Sequence, residues 1–330
     1  MAQEIVVLGD GSWGTAMALY LNELGFSVRL WSARKENAEI IRENRENKRF
    51  LPGIRIPPEI VLTTDEQEAT AGADVWFTVI PTVHLRTTLT RFKEEIRPTN
   101  LIVSLTKGLE ISTNLRPSQI IETVLGTNRV VALSGPSHAE EVARGKPTSL
   151  VAAAERSEWA ISVQNLLNSE QLRIYHNDDL IGVELAGGLK NVIAIAAGIC
   201  DGLGFGDNAK SGLMTRGLVE MARFGVAMGA DAPTFYGLAG MGDLITTCIS
   251  PYGRNRLVGE KLGRGESPES IFAMKPMIAE GITTVRSVVE RSQMMGIDIP
   301  IMHSVYDVLY QAKSPKQAVQ RLMSRQLRRE

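Results

Sequence analysis

The chain has 330 residues, 44% of them hydrophobic, with 36 basic against 37 acidic side chains and a formal net charge of −1, which suits about two soluble domains with sizeable cores. So neutral a balance argues against a nucleic-acid partner, because neutralising phosphates takes a basic excess or patch. Cys200 and Cys248 form no CxxC pair, the start Met-Ala-Gln-Glu carries no targeting pattern, and no run approaches the roughly 18 apolar residues that span a bilayer, so a cytoplasmic protein without a transmembrane segment is expected.

Residues 4–8, Glu-Ile-Val-Val-Leu, predict a short buried strand that runs directly into Gly9-Asp10-Gly11-Ser12-Trp13-Gly14 and an apolar helix pattern ending at Gly25. This is GxGxxG in strand, turn and helix context. Gly9 permits the tight turn, Gly11 lets the backbone approach a pyrophosphate, and Gly14 lets helix and strand pack closely, with phosphates at the helix N-terminus. A glycine-rich turn without a ligand is the competing reading. A second strand over 27–31 ends in Ser32-Ala33-Arg34. NAD-specific sites of this design usually place an acid about 20 residues after the glycines, where it binds the ribose 2′-hydroxyl. Residues 29–34 contain none. Ser32 and Arg34 are therefore expected to contact a 2′-phosphate, with NADPH accepted at least as well as NADH, unless Arg34 stacks on adenine or points to solvent.

Further strands are predicted over 60–63, 74–80, 101–104, 130–134, 149–153 and 172–175, alternating with helical stretches. Such alternation implies a largely parallel sheet covered on both faces. Ligands of open α/β sheets bind beyond the carboxyl ends of the strands, where this chain carries Ile80-Pro81, Thr106-Lys107-Gly108 and Gly135-Pro136-Ser137. Lys107 either receives anionic oxygens there or is an exposed loop lysine. His138-Ala139-Glu140 lacks the Pro-Cys-x-x-Cys of zinc deaminases, and no metal site is expected. Strand signals fade from Asp179 onward. The chain thus reads as an α/β dinucleotide-binding domain of Rossmann-like design over 1–179, followed by an all-helical substrate-binding domain over 180–330.

The second domain opens on a helix whose residues 180–200 hold two charges, Glu184 and Lys190. They are six apart, so Glu184 does not share the lysine's face, where neighbours lie three or four residues away. Ala186, Gly187, Ala194 and Ala197 do share it, an open floor of small residues for a ligand. An apolar setting also lowers a lysine pKa toward the range of a general base. A lysine snorkelling from a buried helix is the alternative. Further on, Asp243 can orient the lysine amine or cap a helix, and Arg254 and Asn255 can bind a phosphate or decorate the surface. The basic cluster at 321–329 reads as a solvated helix end, with weak contact to an anionic membrane surface as the alternative.

Taken together, these segments resemble the bacterial NAD(P)-dependent glycerol-3-phosphate dehydrogenases nearly end to end. The resemblance is carried by residues 9–16, Asn-Lys-Arg-Phe-Leu-Pro-Gly at 47–53, residues 104–108, Ser-Gly-Pro-Ser-His-Ala-Glu-Glu-Val at 134–142, residues 182–198, Asp-Gly-Leu-Gly-Phe-Gly-Asp-Asn at 201–208, residues 237–243, and Arg254-Asn255. It implies that Ser12, Trp13, Arg34, Lys107, Ala139, Arg254 and Glu280, with Gly9, Gly11 and Gly14, line NAD(H) or NADP(H). It further implies that Lys107, Gly135, Ser137, Lys190, Asp243, Gly253, Arg254 and Asn255 surround the substrate, with Lys190 as proton acceptor. Where the family usually has serine before Arg-Asn, this chain has Gly253, and a backbone amide or water would have to replace a phosphate-binding hydroxyl.

The implied reaction is reversible hydride transfer between C2 of sn-glycerol 3-phosphate and nicotinamide C4, giving dihydroxyacetone phosphate, with reduction supplying a backbone for phospholipid synthesis. No tyrosine has a lysine four residues later, which removes the short-chain dehydrogenase solution. A β-hydroxyacid dehydrogenase, recognising carboxylate instead of phosphate, is the nearest rival, and a catalytically silent dinucleotide sensor the rival from another class. A homodimer is compatible with the chain, which carries no signal that fixes oligomeric state.

Overall fold

The computed structural model describes residues 3–273, 279–326 and 329. They form two compact units, Met1–Thr106 with Pro117–Leu180, and Lys107–Arg116 with Ile181–Glu330. A single cut after residue 179 therefore leaves out one exchange, since the Lys107 segment clusters with the helical unit. Leu327 and Arg328 of the terminal basic cluster lie outside the described residues.

The first unit is built on strands β1 (Glu4–Leu8), β2 (Ser27–Trp31), β3 (Glu46–Asn47), β4 (Leu51–Arg55), β5 (Val61–Thr63), β6 (Val75–Thr78), β7 (Leu101–Ser104), β8 (Val130–Ser134), β9 (Thr148–Ala153) and β10 (Leu172–Asn177). Eight of them form one sheet in the order β10-β9-β8-β7-β6-β1-β2-β5. Every pairing in it is parallel except β8 with β9. Ile5 to Leu8 of β1 are fully buried, as a strand covered on both faces requires. The direction of winding reverses between β1 and β6, so the carboxyl ends of these two strands mark the topological switch point where open α/β sheets take their ligands. The antiparallel β3–β4 pair is absent from the sequence reading. Its strands are too short, and too rich in polar residues, proline and glycine, to show a strand period.

Among the described residues the second unit contains helices and no strand. Its long helix, Leu180–Gly202, has an 18-residue window of mean hydropathy 1.6 that is 94% buried. By length and composition alone this helix could cross a membrane, but Glu184 and Lys190 interrupt its apolar run and the protein itself covers it. The packing is backbone to backbone. A Cβ on Gly198 would lie 1.9 Å from the Arg256 carbonyl oxygen, and one on Gly259 1.9 Å from that of Ile195. Helix Arg254–Gly263 can thus approach only through glycine on each side. Ala186, Gly187, Ala194 and Ala197 are all buried as well, so the small residues serve close packing and do not form the open floor expected.

Candidate active site

In the first unit, the glycine loop joins β1 to helix Ser12–Glu23. Gly9 has φ +116°, and a Cβ there would meet the Val79 carbonyl oxygen at 2.5 Å. A Cβ on Gly14 would lie 1.8 Å from the Gly9 carbonyl oxygen, whereas Gly11 faces open space with nothing within 4 Å. Loop and helix are therefore locked together on one side and open at Gly11. The helix has no side-chain cap and no acid in its first turn, so the amides of Ser12, Trp13 and Gly14 lack intrahelical acceptors. This geometry fits a dinucleotide pyrophosphate. Asn47, 1% exposed, holds the loop from behind, its Nδ2 donating to the Asp10 carbonyl and to Thr15 Oγ1, both at 2.8 Å.

Trp13 packs against the core, and Ala139 begins the short helix Ala139–Val142, which lies on helix Ser12–Glu23. Gly135, φ +136°, receives the Ser137 hydroxyl on its carbonyl at 3.0 Å. Arg34 is exposed at the start of helix Lys35–Asn44. Ser32, beside it, is fully buried and donates to Asp10 Oδ2 at 2.5 Å, an oxygen that also accepts from Asn37 Nδ2. Residues 29–34 contain no acid, yet the glycine loop delivers the Asp10 carboxylate to the end of β2. A one-dimensional window cannot see that approach.

The second unit assembles the lysine site. Residues Lys107–Arg116 are tied down along their length: Lys107 Nζ pairs with Asp243 Oδ2 at 2.5 Å, the Glu110 carbonyl accepts from Ser287 Oγ at 3.2 Å, and Arg116 pairs with Glu184. Glu184, too distant along the helix to neutralise Lys190, thus neutralises the far end of this segment. Gly188 lies under it, where a Cβ would sit 3.0 Å from Gly108 Cα.

Lys190 is 7% exposed and does not snorkel; its Nζ donates to Thr247 Oγ1 at 2.6 Å and lies 3.1 Å from Asp243 Oδ1. Asp243 begins helix Asp243–Ile249, one turn ahead of Thr247, and the Thr247 hydroxyl donates to Asp243 Oδ1 at 3.2 Å. A π-helical turn, Leu238–Gly242, swings the chain into this position. It closes on Phe235, whose carbonyl oxygen would lie 2.0 Å from a Cβ at Gly240. Thr247 and its acceptor role are absent from the sequence reading, although the four-residue step from Asp243 is a legible helical neighbour pair.

Burial pulls the Lys190 pKa down to about 8, against the opposing pull of Asp243 and with help from the like charge of Lys107. Asp243 is buried too, which alone would raise its pKa, but Lys107 and Lys190 together hold it below the usual carboxylate value. The site therefore keeps a fixed anion beside an amine able to lose its proton near neutrality.

Asn255 is buried beneath this group, donating through Nδ2 to Asn191 Oδ1 and accepting the Gly281 amide, both at 2.9 Å. Its side chain ties three helices together, and Glu280, first residue of helix Glu280–Met295, contributes charge to the Lys190 environment. Arg254 is exposed at the first turn of helix Arg254–Gly263. Gly253 is buried; its amide donates to the Ser250 carbonyl at 3.2 Å and is not a free replacement donor. A serine there would bring Cβ to 2.8 Å from the Thr247 carbonyl oxygen, so this loop is shaped around glycine. Of the expected site residues, Gly9, Gly11, Ser12, Trp13, Gly14, Arg34, Gly135, Ser137 and Ala139 belong to the first unit, and Lys107, Lys190, Asp243, Gly253, Arg254, Asn255 and Glu280 to the second. Among the described residues no three His, Cys, Asp or Glu side chains converge as a metal site.

The family model for the NAD-dependent glycerol-3-phosphate dehydrogenase N-terminus matches residues 4–160, and that for the C-terminus residues 179–320. A curated glycerol-3-phosphate dehydrogenase (NAD(P)+) from Chlorobium phaeobacteroides is 44% identical over 99% of both chains. One from Salinibacter ruber is 44% identical over 100% of this chain and 97% of its own. The crystal structure of glycerol-3-phosphate dehydrogenase from Coxiella burnetii superposes with a TM-score of 0.94 at 36% identity, covering 98% of this chain and 99% of that one. A D-mandelate dehydrogenase structure, with TM-score 0.64 at 13% identity, shares the fold alone. With both halves matched and relatives aligned along the whole length, the chain belongs to the NAD(P)-dependent glycerol-3-phosphate dehydrogenases.

Proposed function

We propose that this oxidoreductase interconverts sn-glycerol 3-phosphate and dihydroxyacetone phosphate with Lys190 as its general acid and base. The observation that carries the reading is a buried lysine, lowered to about 8 by desolvation and oriented by Thr247 and Asp243. The nicotinamide cofactor, when bound, accepts hydride from C2 of the alcohol or returns it to the ketone. In oxidation, neutral Lys190 takes the C2 hydroxyl proton; in reduction, its ammonium gives a proton to the carbonyl oxygen. Asp243 remains paired with Lys107 throughout, so loss of the Lys190 proton leaves no uncompensated carboxylate.

Gly9, Gly11, Ser12, Trp13, Gly14, Arg34 and Ala139 would hold the dinucleotide, joined by Lys107, Arg254 and Glu280. Substrate phosphate would be received by Arg254, by the first-turn amides of helix Arg254–Gly263, which has no side-chain cap, and by Lys107. Gly135, Ser137, Asn255 and Gly253 complete the substrate surroundings, Asn255 and Gly253 by shaping the backbone. The reductive direction would supply glycerol phosphate for phospholipid synthesis in the cytoplasm. The deciding experiment is the absorbance of NADH or NADPH on adding dihydroxyacetone phosphate. Consumption supports the reading; its absence, or equal turnover of a carboxylate-bearing keto acid, overturns it.

A further inference from the structure

The end of β2 carries a charge that its own sequence lacks. The parallel register pairs Leu8 with Trp31, and the Gly9 amide donates to the Trp31 carbonyl at 3.0 Å, so the residues leaving the two strands run side by side. Asp10 thereby reaches Ser32, whose hydroxyl donates to Oδ2 at 2.5 Å, while Asn37 donates to the same oxygen from helix Lys35–Asn44. Ser32 and Asn37 are buried and Asp10 is half-buried. Oδ1 has no hydrogen-bond partner among the described residues. We infer that Asp10 makes the enzyme select NADH over NADPH, its carboxylate accepting the adenosine ribose 2′-hydroxyl and repelling a 2′-phosphate. This rests on the dinucleotide reading of the glycine loop.

Two features of β2's end compete over the 2′ position. Arg34 attracts a phosphate, but it is exposed, and solvent and salt screen its charge. Asp10 is held by two donors and partly shielded, so its field at the ribose is the less attenuated. Ser32 cannot serve a phosphate without withdrawing its proton from Asp10, which would leave the carboxylate with one donor fewer against an incoming dianion. Both contributions oppose the 2′-phosphate. They reverse the preference expected from residues 29–34 alone.

Calorimetric titration of the whole protein with ADP-ribose and with 2′-phospho-ADP-ribose tests this without substrate. The wild type should bind ADP-ribose more tightly by roughly 10-fold or more, the scale of one charged hydrogen bond. Asp10→Asn should tighten the phosphorylated ligand by about the same factor and weaken ADP-ribose. Ser32→Ala, which keeps the carboxylate, should retain the preference for ADP-ribose. The inference is overturned by equal or tighter binding of the phosphorylated ligand to the wild type, by an Asp10→Asn variant that shifts both ligands alike, by loss of preference in Ser32→Ala, or by failure of both ligands to bind. Should Asp10→Asn not fold, the wild-type and Ser32→Ala comparisons still decide. Because neither ligand contains nicotinamide, the dehydrogenase reading fails separately, through absent cofactor oxidation with dihydroxyacetone phosphate.

Discussion

Thr247 Oγ1 lies 2.6 Å from Lys190 Nζ and gives its own proton to Asp243 Oδ1 at 3.2 Å. The direction of that second bond fixes the first: with its hydrogen committed to the carboxylate, the hydroxyl presents a lone pair to the lysine. Thr247 is thus an aligning group for Lys190 in either protonation state.

Thr247→Val keeps the shape and removes the acceptor. Loss of a hydrogen bond to a charged group, worth about 1.5–3 kcal/mol, should lower kcat by roughly 10- to 100-fold and move the activity pKa downward. Thr247→Ser should restore both. A valine variant with wild-type kcat and pH profile would remove the aligning role.

Lys190 itself should set the pH dependence. With its pKa lowered to about 8, kcat/KM for glycerol phosphate oxidation should rise with pH through about 8, as the neutral amine forms, and that for ketone reduction should fall over the same range. Lys190→Met should lower kcat on the order of 10²-fold or more while cofactor still binds. Near-normal turnover in a folded variant would reassign the acid and base.

Arg254→Ala should weaken dihydroxyacetone phosphate about 10- to 100-fold, the scale of a lost charged hydrogen bond, and unphosphorylated dihydroxyacetone should be a poor substrate of the wild type. Measured kcat/KM values for the two ketones decide this. Equality between them would point to a carbonyl reductase that does not read phosphate.

Glu220 should make stability pH-dependent away from the site. Burial raises its pKa to about 7, outweighing the amides of Ile301 and Met302 that its carboxyl accepts. A raised acid pKa stabilises the fold below the unfolded value near 4.5, and that contribution is lost as pH rises through about 7. The swing should be on the order of 3 kcal/mol. Denaturant titrations from pH 4 to 8 should show the decline in the wild type and a flatter profile in Glu220→Gln; parallel profiles would contradict it.

Much of the fold was legible because its signals are local. Five-residue aliphatic strands, the spaced glycines and the disappearance of strand patterns after residue 179 act within a few residues of one another, and β2, β7 and β8 begin and end where the sequence puts them. The β3–β4 pair was not, since its short polar strands carry no period. Asn47, conspicuous in the sequence only as part of a motif, acquires its reason from the carbonyl and hydroxyl it holds.

The sequence by itself determined the fold class, the glycine loop and an isolated lysine on an apolar helix, because backbone propensity and side-chain period are properties of neighbouring residues. Tertiary structure alone decided which charges meet. Lys107, Lys190, Asp243 and Thr247 converge from three segments, Glu184 turns to Arg116, and Asp10 crosses to Ser32. Electrostatic and hydrogen-bond energies depend on distances of a few ångströms in space. Separation along the chain does not fix those distances, so pairing and protonation emerge only once the segments have packed.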